Sequence, residues 1–241
     1  MKLKKYLNEG INDKGIFHAI FMAGNPGSGK TYTYTSIKSG QIEPKVVATD
    51  KFFKLFGDEW DKIWVKETGF KDKINLLTQN RLYNYFNGML PIVVDSTSSN
   101  AESMFRRQKL LESLGYDVGM VFVNTSLETS LSRASEREKE TGRHVPPDFI
   151  EKSYKKMQEL KNSYRINFKF FMEVNNSEGE LTNSVIKNAF NKVKNFYSLP
   201  INNITGKETL NTLIKNGWKY LVPNIYKEEY LKGLTKLWHK E

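Results

Sequence analysis

The sequence has no cysteine and only three histidines in 241 residues. Disulfides, thiolate catalysis and cysteine-based zinc sites are therefore excluded, and the lack of cysteine fits a reducing cytoplasm. The histidines are scattered along the chain, which disfavours a histidine-based metal site. No apolar run approaches the roughly 18 residues of a membrane-spanning helix, and none follows the basic stretch at residues 1–10. We therefore expect a cytoplasmic protein with no signal peptide and no membrane contact.

Arginine is also scarce, since it supplies seven of the 37 basic side chains. Five of these arginines lie in two short segments, at residues 106–107 and 133–143. A guanidinium group can make bidentate contacts with phosphate, whereas a lysine is a point charge. The clustering therefore favours phosphate binding at these two segments. The net charge of +10 favours a polyanionic partner, or equally a lysine-rich solvated surface.

A glycine-rich motif, G-x-x-x-x-G-K-[ST], begins at Gly24, after an apolar run at residues 16–23. The segment at 31–38 contains no helix breaker, so the motif stands between a predicted strand and a predicted helix. This context predicts a loop that binds a nucleoside triphosphate through backbone N–H groups. Lys30 would reach the β- and γ-phosphates, and the Thr31 hydroxyl would hold Mg²⁺. We expect the following residues to bind ATP: Asn25, Pro26, Gly27, Ser28, Gly29, Lys30 and Thr31.

Strand-like and helix-like segments alternate through most of the chain. The predicted strands are 16–23, 45–50, 91–95, 118–124 and 168–174. The predicted helices between and after them are 31–38, 60–87, 101–114, 127–136, 147–164 and 181–196. This alternation predicts an α/β fold of the P-loop NTPase type, with a doubly wound parallel sheet of about five strands and helices on both faces.

The chain divides, by its composition, into a core domain at 1–196 and a basic helical extension at 197–241. We expect a linker at 199–206, followed by amphipathic helices at 208–215 and 227–239. Aromatic residues stand among the lysines of the extension. They suit either stacking on nucleic-acid bases or packing against the core. The residues concerned are Trp218, Tyr220, Tyr226, Tyr230 and Trp238.

Two aspartates close predicted strands, at Asp50 and Asp95. Ligands of such sheets bind at the carboxyl ends of the strands, so both side chains can converge on the glycine-rich loop. Asp50 lies 20 residues after Lys30 and could accept the proton of an attacking hydroxyl. Lys54, one helical turn further on, could meet an anionic substrate. Asp95 could bind Mg²⁺ through water or orient a substrate hydroxyl. Taken singly, each aspartate also suits a turn.

Arg133 and Arg137 are spaced to share one face of a helix, and Arg143 follows in a loop that contains glycine and proline. Arginines on such a segment can stabilise the charge that spreads over a transferring phosphoryl group. We therefore expect a lid at about 133–147 that closes over ATP. The alternative is an ion-paired surface helix, because glutamates interleave with the arginines at 136, 138 and 140.

In order and spacing, these motifs resemble the polynucleotide kinase and zeta-toxin group of P-loop kinases, over roughly residues 16–175. The resemblance is closest to the 5′-hydroxyl polynucleotide kinase domain, as found in bacteriophages. It includes Asp-x-Thr after the third strand and Arg-x3-Arg before Gly-x-x-Val-Pro. It implies an ATP-dependent kinase that uses Mg²⁺. In this resemblance Lys30 and Thr31 would bind ATP and Mg²⁺, and Asp50 would act as the base. Asp95, Thr97 and Arg106 would form the acceptor site. Arg133 and Arg137 would belong to the lid.

The sequence departs from this family pattern near the expected acceptor site. Ser98 stands where asparagine is usual, and Phe53 stands where an arginine is expected. No Asp-x-Asp-x-Thr phosphatase motif occurs, which disfavours a bifunctional end-healing enzyme. We expect the acceptor to be a hydroxyl of a nucleic acid, a modified base or a nucleotide. The alternatives are a zeta-type kinase of a nucleotide sugar and a nucleotide-gated nucleic-acid-binding module.

Overall fold

Five strands form one parallel sheet in the order β2-β3-β1-β4-β5. The computed structural model describes residues 15–37, 42–48, 52, 70–177, 181–215 and 228–238. The strands are β1 (His18–Ala23), β2 (Lys45–Val47), β3 (Ile92–Asp95), β4 (Asp117–Asn124) and β5 (Phe170–Asn175). The helices of the described residues are α1 (Lys30–Ile37), α2 (Phe70–Asn87), α3 (Ala101–Ser113), α4 (Leu127–Thr141), α5 (Pro147–Asn167), α6 (Asn183–Ser198), α7 (Ile204–Lys215) and α8 (Glu228–Trp238).

The central strand β1 is buried on both faces and shows how the sheet separates two apolar layers. Ala19, Phe21 and Ala23 face a cluster built by α2, α3, α5, α7 and α8. Ile20 and Met22 face a second cluster built by α1 and α6. Successive side chains of a strand point to opposite faces, so an uninterrupted apolar run fits a strand covered on both sides. The predicted doubly wound α/β fold is thereby confirmed.

Helix α4 is five residues longer than expected, and the prediction that it ends at residue 136 is wrong. The helix continues to Thr141 and is stopped by Gly142, which adopts a left-handed conformation with φ 68°. The Gly142 N–H donates to the carbonyl of Glu138. Glutamate and lysine propagate a helix well, whereas glycine readily takes the left-handed cap position. Only residues 142–146 of the predicted lid are therefore irregular.

The predicted linker after α6 is shorter than expected, since α7 begins at Ile204. Asn203 caps this helix, because its Oδ1 accepts a hydrogen bond from the Gly206 N–H at 3.2 Å. Gly206 lies so close to Gly115 that a side chain on it would overlap the Gly115 carbonyl. Helix α7 is thus packed directly against the turn between α3 and β4.

Helix α8 reaches the core through Trp238, which is 2% exposed. The indole stacks on Phe21 of β1, with ring centroids 6.3 Å apart. For Trp238, packing is therefore the outcome, rather than stacking on a base. The side chains of Trp218, Tyr220, Tyr226 and Tyr230 lie outside the described ones. Across the described residues, no helix combines the length and the apolar character that crossing a bilayer requires.

Candidate active site

The glycine-rich loop connects β1 to α1 at the carboxyl edge of the sheet, as predicted. Gly27 and Gly29 adopt left-handed conformations, with φ of 80° and 84°. A methyl group on Gly27 would overlap the carbonyl oxygen of Ser130 in α4, and one on Gly29 would overlap the amide nitrogen of Asn176. Glycine is therefore required twice over, for the backbone conformation and for close packing. The resulting loop and the α1 N-terminus form an arrangement suited to a phosphate group.

Lys30, the first residue of α1, folds back over this loop. Its ammonium group donates to the carbonyl of Gly24 at 2.8 Å and to that of Asn25 at 3.1 Å. These contacts hold the positive charge at the mouth of the loop. The placement suits a lysine that contacts the β- and γ-phosphates of a nucleotide.

Asp95 converges with the loop from the neighbouring strand. It stands opposite Met22 in the parallel pairing of β1 with β3. The Thr31 hydroxyl lies 3.4 Å from Asp95 Oδ2 and donates to it. A hydroxyl and a carboxylate side by side fit Mg²⁺, which proteins bind through a few oxygens together with substrate phosphates. Thr31 and Asp95 would hold such an ion.

The segment after β3 is tied to the start of the glycine-rich loop by backbone hydrogen bonds. The Gly24 N–H donates to the Thr97 carbonyl at 3.4 Å, and the Ser96 N–H donates to the Met22 carbonyl at 3.2 Å. Asn100 ends the segment by capping α3, since its Oδ1 accepts from the Ser103 N–H at 2.9 Å. We call residues 96–100 the acceptor-side loop. The predicted pair of Asp95 and Thr97 therefore lies next to the glycine-rich loop.

Ser98 gives the acceptor-side loop an unusual backbone, with φ 59° in the left-handed region. The buried Tyr164 hydroxyl donates to the Ser98 carbonyl at 2.6 Å. Burial raises the pKa of Tyr164 well above its ordinary range, so its hydroxyl stays a protonated donor. Asparagine tolerates left-handed backbone better than most residues. Asparagine, which the family resemblance leads us to expect at this position, would therefore also fit this conformation.

Arg133 lies beside the glycine-rich loop. A methyl group on Gly29 would be 3.7 Å from its Nη1, and Nη1 also donates to the Asn176 carbonyl at 3.4 Å. Arg137, one turn further along α4, is half-buried. Two of the interleaved glutamates have other partners, since Glu136 accepts from Ser132 and Glu138 contacts His144.

Asn176 was missed by the sequence reasoning. It follows β5, is 4% exposed, and donates through Nδ2 to the Ser28 carbonyl at 2.8 Å. The strand-end rule that selected Asp50 and Asp95 also applies to the polar residues after the fifth predicted strand. That rule was the available signal for Asn176.

The remaining predicted residues are either outside the described part of the chain or in contact with other elements. Asp50, Phe53 and Lys54 lie outside the described residues. Arg106 donates through Nε to the Leu237 carbonyl at 3.3 Å and through Nη2 to the Ser103 hydroxyl at 3.4 Å. Its observed partners are thus the end of α8 and its own helix, and its role toward a substrate stays a prediction.

The parallel sheet, the phosphate-type loop after β1 and the adjacent Thr31 and Asp95 are features of a P-loop nucleotide-binding protein. The chain belongs to the zeta toxin family, whose model matches residues 12–181. The family match makes it a phosphotransferase of the P-loop kinase type. This match confirms the predicted P-loop kinase group. No curated protein matches the sequence.

Three solved structures share the fold at low identity. A candidate kinase from Chloroflexus aurantiacus is 14% identical, with a TM-score of 0.54 over 77% of this chain and 100% of that chain. The PezAT toxin–antitoxin structure from Streptococcus pneumoniae is 18% identical, with a TM-score of 0.52 over 81% and 92%. The Pnkp1/Rnl/Hen1 RNA repair complex is 19% identical, with a TM-score of 0.50. That match covers 64% of this chain and 49% of the other.

Proposed function

We propose that the protein transfers the γ-phosphate of ATP to a hydroxyl of a nucleic acid or nucleotide. The observation that carries the proposal is the contact of Thr31 with Asp95. It joins a side chain of the nucleotide loop to the residue that opens the acceptor-side loop. An acceptor hydroxyl near Asp95 would therefore lie close to the γ-phosphate, as phosphoryl transfer requires.

Each predicted residue has a role in this reaction. The acceptor oxygen forms a bond to the γ-phosphorus, the bond from the γ-phosphorus to the bridging oxygen breaks, and ADP leaves. Asp50 takes the proton of the acceptor hydroxyl. Lys30, Arg133 and Arg137 stabilise the charge on the phosphoryl oxygens. Mg²⁺ held by Thr31 and Asp95 would neutralise part of the phosphate charge. Lys54, Thr97 and Arg106 would contact the acceptor.

A nucleic-acid or nucleotide acceptor is favoured by three features. The motifs resemble the 5′-hydroxyl polynucleotide kinase domain of bacteriophages, and the net charge of +10 suits a polyanion. One solved structure of the same fold is an RNA repair complex. We assign the kinase domain of this protein to residues 1–196, and the extension at 197–241 would add basic surface.

A nucleotide sugar is the second candidate acceptor. The observation that favours it is membership of the zeta toxin family over residues 12–181. Both candidates carry phosphate and a reacting hydroxyl, so the same nucleotide site serves either. They differ in what the acceptor side must recognise beyond that hydroxyl.

A transfer assay with γ-labelled ATP separates the candidates. The acceptors are 5′-hydroxyl DNA and RNA oligonucleotides, oligonucleotides with a hydroxymethylated base, nucleosides, nucleoside monophosphates and nucleotide sugars. We expect stoichiometric labelling of an oligonucleotide or a nucleotide. Lys30→Ala should abolish labelling, whereas Lys187→Ala, an exposed change on α6, should not. Labelling of nucleotide sugars alone would support the second candidate. A folded protein that labels no acceptor would contradict both.

A further inference from the structure

We propose that Asn176 is a positioning residue that sets the shape of the glycine-rich loop and ties it to Arg133 of α4. The inference rests on the proposed ATP site and extends it to a residue at the end of β5. Asn176 is 4% exposed, although asparagine is mostly a surface residue. A buried amide requires partners, and those partners show what it does.

The side chain of Asn176 contacts the loop between its two most constrained positions. Nδ2 donates to the Ser28 carbonyl at 2.8 Å. The same nitrogen occupies the space that a side chain on Gly29 would need. The hydrogen bond orients the Ser28–Gly29 peptide, whose N–H is one of the donors that the proposed ATP site would turn toward a phosphate. A change at Asn176 would therefore alter the direction of that donor.

The backbone of Asn176 contacts β4 and also Arg133 of helix α4. Its N–H donates to the Asn124 carbonyl at 2.8 Å. Its carbonyl accepts from the buried Thr125 hydroxyl at 2.9 Å and from Arg133 Nη1 at 3.4 Å. One residue thus contacts β4, the glycine-rich loop and α4, so a shift of the Asn176 peptide would move the loop and Arg133 together.

Packing alone does not explain an asparagine at this position. Within the described part of the chain, the buried Oδ1 of Asn176 accepts no hydrogen bond. An unsatisfied buried acceptor lowers stability, so an apolar side chain of similar size would suit a purely structural role better. What an apolar side chain lacks is the donor to Ser28.

The test compares Asn176→Ala and Asn176→Asp with Asn175→Ala. Asn175 is exposed, and its Oδ1 accepts hydrogen bonds from Ser177. We measure the Kd for ATP, the hydrogen exchange of the backbone amides at 24, 25 and 27–31 in the protein without nucleotide, and the melting temperature. Both Asn176 variants should raise the Kd about tenfold, the scale of one lost hydrogen bond. They should also speed exchange in the loop but not in β4. Asn175→Ala should leave the Kd for ATP and the hydrogen exchange of the loop unchanged.

Two results would overturn the inference. One is an unchanged Kd and loop exchange in folded Asn176→Ala, and the other is a lower melting temperature with unchanged loop exchange. If Asn176→Ala does not fold, Thr125→Val removes only the hydroxyl that holds the Asn176 carbonyl. It should speed loop exchange by a smaller factor, and unchanged exchange would count against the inference. Hydrogen exchange needs neither ATP nor an acceptor, so failure of the proposed function would be distinguished from failure of this inference.

Discussion

The glycine-rich loop and the acceptor-side loop follow neighbouring parallel strands, yet they are built in opposite ways. The first owes its shape to missing side chains, since Gly27 and Gly29 lie where any Cβ would overlap a neighbour. The second adopts a left-handed backbone without glycine, at Ser98. Its shape is held by Tyr164, which is distant in sequence.

This difference matches the two substrates of a kinase, because the phosphate groups of the nucleotide are always the same whereas the acceptor differs from one kinase to another. A phosphate group presents the same oxygens in every nucleotide, so backbone donors on a glycine-rich loop suffice to bind it. Acceptors differ in chemistry, and side chains are the means of telling them apart. The glycine-rich loop is therefore recognisable from a short motif, although residues distant in sequence also contact it. The left-handed conformation of the acceptor-side loop and its contact with Tyr164 have no such motif.

The largest expected difference between the two sides of the site is a loss of phosphoryl transfer without a loss of ATP affinity, and it is expected from Asp50→Asn. If Asp50 is the base of the acceptor side, the change should lower phosphoryl transfer by roughly 10²–10⁴ and leave ATP affinity unchanged. Single-turnover transfer and ATP binding measured on the same preparation check this. An altered ATP affinity with an unchanged chemical step would move Asp50 to the nucleotide side.

The next effect is expected from Arg133→Lys and Arg137→Lys. Charge is kept, but a planar fork becomes a point charge, so the single-turnover rate should fall roughly tenfold to a hundredfold. Arg165→Lys is the matched control, since Arg165 lies on α5 and pairs with Glu173 of β5. If both α4 variants transfer at the rate of the unchanged protein, α4 is an ion-paired surface helix and the lid assignment is wrong.

Sequence patterns predicted the five strands because apolar runs between polar breaks are local features. The same patterns brought Asp95 to the glycine-rich loop, through the rule on strand ends. They did not predict the strand order, because the pairing of parallel strands depends on how distant helices pack. The partner of Arg106 at the end of α8, the Leu237 carbonyl, is 131 residues away and has no local signature.

The boundaries were less predictable than the elements. Helix α4 passed its predicted end because the charged residues after Glu136 propagate a helix as far as the Gly142 cap. Asn176 escaped notice because an asparagine after a strand is typical of a turn. Its burial and its contact with Ser28 come from tertiary packing.

A smaller effect is expected from Tyr164→Phe, which removes the side-chain hydrogen bond to the acceptor-side loop. The change leaves the buried Ser98 carbonyl without its 2.6 Å donor, which should lower the free energy of unfolding by about 1–3 kcal/mol. The KM for the acceptor should rise while the KM for ATP stays constant. Tyr154→Phe, the same change elsewhere on α5, is the control. An equal rise in both KM values would show that the two loops are not independent.

The smallest effect is expected from Ser98→Asn, which tests whether the left-handed backbone is the property that matters at this position. Left-handed conformation costs an ordinary L-residue about 1–2 kcal/mol, and asparagine is more tolerant of it. Ser98→Asn should therefore keep or raise the free energy of unfolding. Ser98→Thr keeps the hydroxyl but adds a β-branch, which disfavours φ of 59°, so it should lower stability. Urea unfolding of the three proteins provides the comparison. Equal stabilities for the Asn and Thr variants would mean that the contact with Tyr164, and not the residue type at 98, determines the loop.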